Sequence, residues 1–155
     1  MTVGPLIRDV QLALRDLVGA LGRLNGTVAS HVRLRGDDLE LLDVITRRGP
    51  LTASQLAQQT GFHPATLTGV IDRLERGGWV TRDRDPDDRR KIMLHAVDER
   101  GGELVRLYGP MARSITSLCS GYSPAELAVI RDFLTRASEA GDHAVRTARN
   151  PNPPD

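Results

Sequence analysis

Aromatic side chains make up only 3% of this 155-residue chain, so its core must be built from Leu, Val, Ile and Ala. Cys119 is the single cysteine. An intrachain disulfide is therefore excluded, and a lone thiol beside Leu118 on an apolar helix face reads as core filler rather than nucleophile. His31, His63, His95 and His143 are scattered, with no cysteine or paired carboxylate at ligand spacing, so no metal, no cofactor and no catalytic group is expected. No apolar run approaches the length needed to span a bilayer, and Met1 to Pro5 lack the basic start and apolar stretch of a signal peptide. A cytoplasmic protein with no membrane partner is the expectation. Charge of one sign is missing as well: 21 basic and 20 acidic side chains leave +1. Any surface for nucleic acid must come from local arrangement rather than bulk charge.

What is present is helical periodicity. The length suits one compact unit. Ile7, Val10, Leu14, Leu17, Leu21, Leu24 and Val28 recur at spacings of three and four along a first helix, expected over about 5–31. Gly19, Gly22 and Gly26 weaken that helix, so it depends on packing, either in its own core or against a second subunit. Asp37 with Glu40 suggests a capping box before Leu41, Leu42, Val44 and Ile45, and Gly49-Pro50 closes that helix. Thr52 with Gln55 opens a short helix from Ala53 that stops at Thr60-Gly61. Another follows at about 63–76, with Leu67, Val70, Ile71 and Leu74 inward and Gly77-Gly78 at its end. Trp79 to Arg82 and Ile92 to Val97 read as strands around a charged turn at Pro86. Asp98 can cap a helix carrying Leu104, Leu107, Tyr108, Met111, Ile115 and Leu118. Ser123-Pro124-Ala125-Glu126 starts a last helix with Leu127, Ile130, Phe133, Leu134 and Ala137. Residues 150–155, rich in proline and asparagine, are expected to be a disordered tail.

Two short helices joined by a glycine turn and followed by a charged hairpin give the order helix, recognition helix, wing. Leu56, Ala57, Phe62 and Leu67 can pack the two helices together and leave the second to project. Its outward side holds Ala65, Gly69, Asp72 and Arg76, flanked by Thr66, Thr68 and Arg73. Small residues allow close approach, their methyls can meet thymine methyls, and Thr hydroxyls can bond base edges or phosphates. Arg73 is long enough for a guanine edge or a phosphate. Pro64 and the helix start bring unpaired N–H groups towards phosphate, and His63 can add a hydrogen bond. Asp72 would repel phosphate unless paired, with Arg76 as the expected partner. At the wing, Arg89 and Arg90 can enter an A·T-rich minor groove while Asp87 or Asp88 orients them. The alternative is a solvated turn.

From Leu51 to Lys91 the chain resembles the MarR family, the multiple-antibiotic-resistance type of regulator. The resemblance rests on Leu51-Thr-x-x-Gln-Leu-Ala57, on Thr66-Leu-Thr-Gly-Val-Ile-Asp-Arg-Leu-Glu-Arg-Gly-Gly78, and on Asp85-Pro-Asp-Asp-Arg-Arg90. It implies a mainly α fold with a small β-hairpin, a winged helix-turn-helix domain over 5–145 flanked by dimerisation helices. The DNA-binding lobe would span about 36–98, the helix-turn-helix 53–76, the wing 79–97 and the dimerisation helices 5–31 and 99–145. The family's wing pairs an aspartate with a minor-groove arginine, which carries over to Asp88 and Arg90, with Arg89 additional. One departure is Ala96-Val97, where the family commonly shows Leu-Thr; Asp98 then replaces the lost cap. Relatives that sense peroxide place their cysteine in the first helix, where this chain has none.

The expected function is sequence-specific regulation of transcription, as a homodimer repressing from a pseudopalindromic operator and released by a small-molecule effector. The expected DNA contacts are Ser54, Gln55, His63, Pro64, Ala65, Thr66, Thr68, Gly69, Arg73, Asp88, Arg89, Arg90 and Lys91. His31 or Arg33, at the first helix junction, are candidates for the effector. The alternative class is a winged helix that binds protein rather than DNA, for which wing-tip arginines have no purpose.

Overall fold

The computed structural model describes residues 3–149, so the tail expected at 150–155 lies outside the described residues. Among them, helices and one hairpin follow in the order α1 (Val3–Val32), α2 (Gly36–Arg48), α3 (Ala53–Thr60), α4 (Pro64–Arg76), β1 (Val80–Arg84), β2 (Ile92–Ala96), α5 (Asp98–Cys119) and α6 (Pro124–Arg149). This is the mainly helical, hairpin-bearing class read from the sequence. Two compact units emerge rather than one, and the division after Leu107 falls inside α5. Burial accounts for the difference: the apolar core runs only from Val28 to Leu94, and α5 has no fully buried residue.

In the first unit, Leu41, Leu42 and Ile45 of α2, Leu56 of α3, and Leu67, Val70, Ile71 and Leu74 of α4 close on Trp79, Val80 and Leu94 of the hairpin. The α4 set repeats at three and four residues, which puts all four side chains on one stripe. Each such burial contributes about 1.5–3 kcal/mol, which holds the short helices that propensity alone would not. The strands pair antiparallel from Val80 opposite Ala96 to Arg84 opposite Ile92. Leu51 adds a bridge to Leu94 through bonds of 2.8 and 3.3 Å, tying the α2–α3 connection to the wing.

The ends of the elements show which side-chain chemistry won. Thr52 and Gln55 form the expected reciprocal box at α3. Gly61 takes a left-handed φ of 67° and returns its N–H to the Ala57 carbonyl, a conformation that makes the tight turn into α4. The α2 start differs from the expected Asp37–Glu40 box. There the Asp38 carboxylate accepts the Arg35 N–H at 2.9 Å, while Asp37 accepts the Asp38 N–H at 3.0 Å. α5 begins at Asp98 itself, so Asp98 and Glu99 act as first-turn acids at the positive end of the helix dipole.

α1 is 30 residues long yet buries only Val28, Ala29 and Val32 near its end. Leu6, Ile7, Val10, Leu17 and Leu21 remain exposed. In the second unit, Ser123 and Glu126 form a capping box: the Glu126 carboxylate accepts the Ser123 N–H at 2.8 Å and its hydroxyl at 2.7 Å. Those bonds hold Glu126 below the ordinary glutamate pKa. Ile115, Leu118, Ile130, Phe133 and Leu134 of α5 and α6 are also exposed. Among the described residues, no helix is long and apolar enough to cross a membrane.

Candidate nucleic-acid interface

α4 supplies the surface. His63 is its N-cap residue, and the ring Nδ1 accepts the Ala65 N–H at 3.3 Å. With Nδ1 as acceptor, the neutral ring carries its proton on Nε2, which makes that nitrogen a donor. Pro64 occupies the first turn, where a missing N–H costs nothing. Ala65, Thr66 and Thr68 are exposed and Gly69 half-buried. The Thr68 hydroxyl donates to the Pro64 carbonyl at 3.0 Å, which uses its one proton and leaves its oxygen as an acceptor. The result is a shallow face of small groups at the positive end of a helix.

The charged residues of α4 are arranged differently from expectation. The Arg73 guanidinium turns back onto α2, donating to Asp38 Oδ1 at 2.7 and 3.0 Å and to Asp37 at 3.3 Å. Its hydrogen bond to Asp38 raises its pKa further, against the effect of burial. Arg73 therefore does not stand free over a groove. Asp72 pairs with Arg82 of β1 at 2.5 Å rather than with Arg76, and Arg82 also reaches Glu75 at 2.8 Å. Arg76 lies exposed, its Nε donating to the Asp72 carbonyl at 3.1 Å. Sequence reasoning missed Arg82, although Asp72 and Glu75, three apart on one helix side, signal a shared cation. Arg76, which is absent from the expected contact set, is exposed at the end of α4, whereas Arg73, which is in that set, is half-buried against α2.

The wing tip is built by its aspartates. Asp85 accepts the N–H groups of Asp87 at 2.8 Å and Asp88 at 3.1 Å, which folds the turn around Pro86. Asp88 accepts the Arg90 N–H at 3.2 Å and its Nε at 3.1 Å, and Lys91 lies 3.9 Å away. The pairing expected for Asp88 and Arg90 is thus in place, with the arginine side chain 92% exposed. The Arg90 side chain is the main cause that lowers the Asp88 pKa. Arg89 and Lys91 are exposed on the same tip.

Ser54 and Gln55 sit exposed in the first turn of α3, but the Gln55 side-chain oxygen is taken by Thr52. At the far end of α1, Arg23, Gly26, Thr27, Ser30 and His31 line an open concavity. His31 is part of it; Arg33 is instead the residue with a left-handed φ of 58° that ends α1. Among the described residues, no group of three or more His, Cys, Asp or Glu could hold a metal ion.

A helix-turn-helix with an arginine-tipped hairpin at its side defines a winged-helix DNA-binding fold. The sequence profile of the MarR family matches residues 37–92. The chain is 33% identical over 102 residues to the HTH-type transcriptional regulator YcgE of Bacillus subtilis, covering 66% of each chain. It is 30% identical over 106 residues to the regulator YkoM of the same organism, covering 68% of this chain and 69% of that one. The structure of Streptococcus pneumoniae FabT in complex with DNA superposes with a TM-score of 0.61 at 22% identity, covering 87% of this chain and 99% of that one. The chain belongs to the MarR family of transcriptional regulators, which are not enzymes.

Proposed function

We propose that the chain binds a pseudopalindromic duplex DNA site as a homodimer, represses transcription by occupying it, and is released by a small-molecule effector. The observation that carries this is the exposed small-residue face of α4 beside a wing whose Arg90 is held out by Asp88. His63, Pro64, Ala65, Thr66, Thr68 and Gly69 enter a major groove. Arg90 and Arg89 enter the flanking minor groove, while Arg76, Lys91, Ser54 and Gln55 meet phosphates. Such a protein works beside the chromosome, in the cytoplasm.

One α4 reads only a few base pairs, so useful specificity needs two copies about one helical turn apart. The exposed apolar faces of α1, α5 and α6 supply the surface for that pairing. The related FabT has been crystallised with DNA, which supports the same use of this fold here. The concavity at Arg23, Thr27 and His31 suits a small amphipathic effector with a polar or phenolic group. Such a molecule shifts DNA affinity by its preference between two conformations of the protein, and by no more.

Selection from a random duplex pool, followed by binding at two salt concentrations, tests the reading. The expected product is a pseudopalindrome with half-sites about 10 bp apart, A·T-rich flanks and affinity that falls steeply with salt. Absence of salt-dependent DNA binding would instead favour a winged helix that contacts protein.

A further inference from the structure

Among the described residues, Asp38 is the charged group buried within the apolar core, at 1% exposure. It stands where α2 begins and serves two elements at once. Its Oδ2 accepts the Arg35 N–H at 2.9 Å, while its Oδ1 takes Arg73 Nη2 at 2.7 Å and Nε at 3.0 Å. Asp37 completes the seat by accepting from the same Arg73 nitrogen at 3.3 Å. Arg73 itself is 29% exposed.

Buried ion pairs are poor sources of stability, since well-packed apolar side chains of similar size commonly do as well. What the pair adds is direction. Val70, Ile71 and Leu74 hold α4 on its neighbours by apolar burial, which is indifferent to a small turn of the helix about its axis. A guanidinium fork on a carboxylate is not indifferent. A rotation of about 20° moves side-chain tips at the helix surface by about 2 Å, well beyond the ~0.5 Å within which a binding constellation must be held.

We infer that Arg73 is a positioning residue for operator reading: clasped by Asp38, it fixes the rotation of α4 so that Ala65, Thr66 and Gly69 meet base edges, and it touches no DNA itself. This rests on the DNA-binding reading above. Asp38 is then as important to specificity as any residue on the outer face, although it is buried.

Anisotropy titrations of wild type, Asp38→Asn, Arg73→Gln, Arg73→Lys and the Asp38→Asn/Arg73→Gln double variant test this. Each is titrated with the selected operator and with an unrelated duplex over a salt series, with circular dichroism melts alongside. Asp38→Asn and Arg73→Gln should each lower the ratio of operator to unrelated affinity about tenfold or more, and the double variant should lose no more than the worse single. The slope of log K against log salt on the unrelated duplex should not change. Arg73→Lys keeps the charge and the fold but loses the fork, so it should lower the ratio with the slope intact.

A direct phosphate contact by Arg73 predicts otherwise, and any of its signs overturns the inference. The slope would fall by about 0.9 in Arg73→Gln, Asp38→Asn would bind as wild type, and lysine would restore full discrimination. Failure of wild type to bind any duplex would sink the underlying DNA reading, a separate result.

Discussion

Gly77 shows how one missing side chain joins two parts of the fold. It closes α4 with an ordinary helical φ of −78°, so its backbone would accept other residues. The obstacle is space: a Cβ there would lie 2.7 Å from Cδ1 of Trp79. That ring is 2% exposed, and Arg100 stacks on it at 4.0 Å, so it has nowhere to move. Gly77→Ala should destabilise by about 1–3 kcal/mol, read as a lower urea midpoint at unchanged slope. At this scale the sequence was a partial guide. The inward stripe of α4 was legible because period alone places Leu67, Val70, Ile71 and Leu74. The partners of Asp72 and Arg73 were not, because they come from β1 and α2, ten and thirty-five residues away in sequence. Local spacing favoured Arg76 for Asp72, and tertiary geometry chose Arg82.

Among the elements, the wing is the one whose chemistry can be titrated. Asp88 has a depressed pKa because its ionised form accepts from the Arg90 side chain first and its N–H second. The pairing is therefore complete above the ordinary aspartate range and is lost as pH falls below that range, through the lower folded value. Carboxyl carbon NMR should show the Asp88 midpoint below the usual ~3.9, and Arg90→Ala should move it upward. The same variant should bind the operator core while losing preference for A·T-rich flanks. An unchanged flank preference would remove the wing arginine from the recognition scheme. Helix ends were legible where caps are local, at Thr52, Gly61 and Ser123. They were misread at α2, where Asp38 rather than Asp37 bonds back to Arg35, because a buried side chain was judged by surface rules. The Asp88–Arg90 arrangement was legible through family resemblance rather than through charge pattern, since a loop of alternating signs admits many pairings.

For the whole molecule, the decisive feature is where apolar side chains stay uncovered. Val10, Leu17 and Leu21 of α1 and Ile130, Phe133 and Leu134 of α6 are exposed in one copy, and α5 buries nothing fully. The sequence exposed this surplus as stripes longer than a small core can use, which pointed to a two-fold interface, with burial inside one chain as the competing account. Light scattering at micromolar concentration should give twice the chain mass of 16.9 kDa. Phe133→Asp with Leu134→Asp should shift the population to the single mass, with DNA binding lost in step. A monomeric wild type would contradict the proposed pairing.

On that pairing, the bare faces of α1, α5 and α6 also set how the regulator responds to its own abundance. Covering them is a second-order event, so folding and association share one mass-action equilibrium and thermal stability rises with protein concentration. An operator that admits only the pair then responds, when protomers are scarce, to the square of their number. Halving the supply of chain would cut occupancy about fourfold, a steepness gained from exposed leucines rather than from any effector.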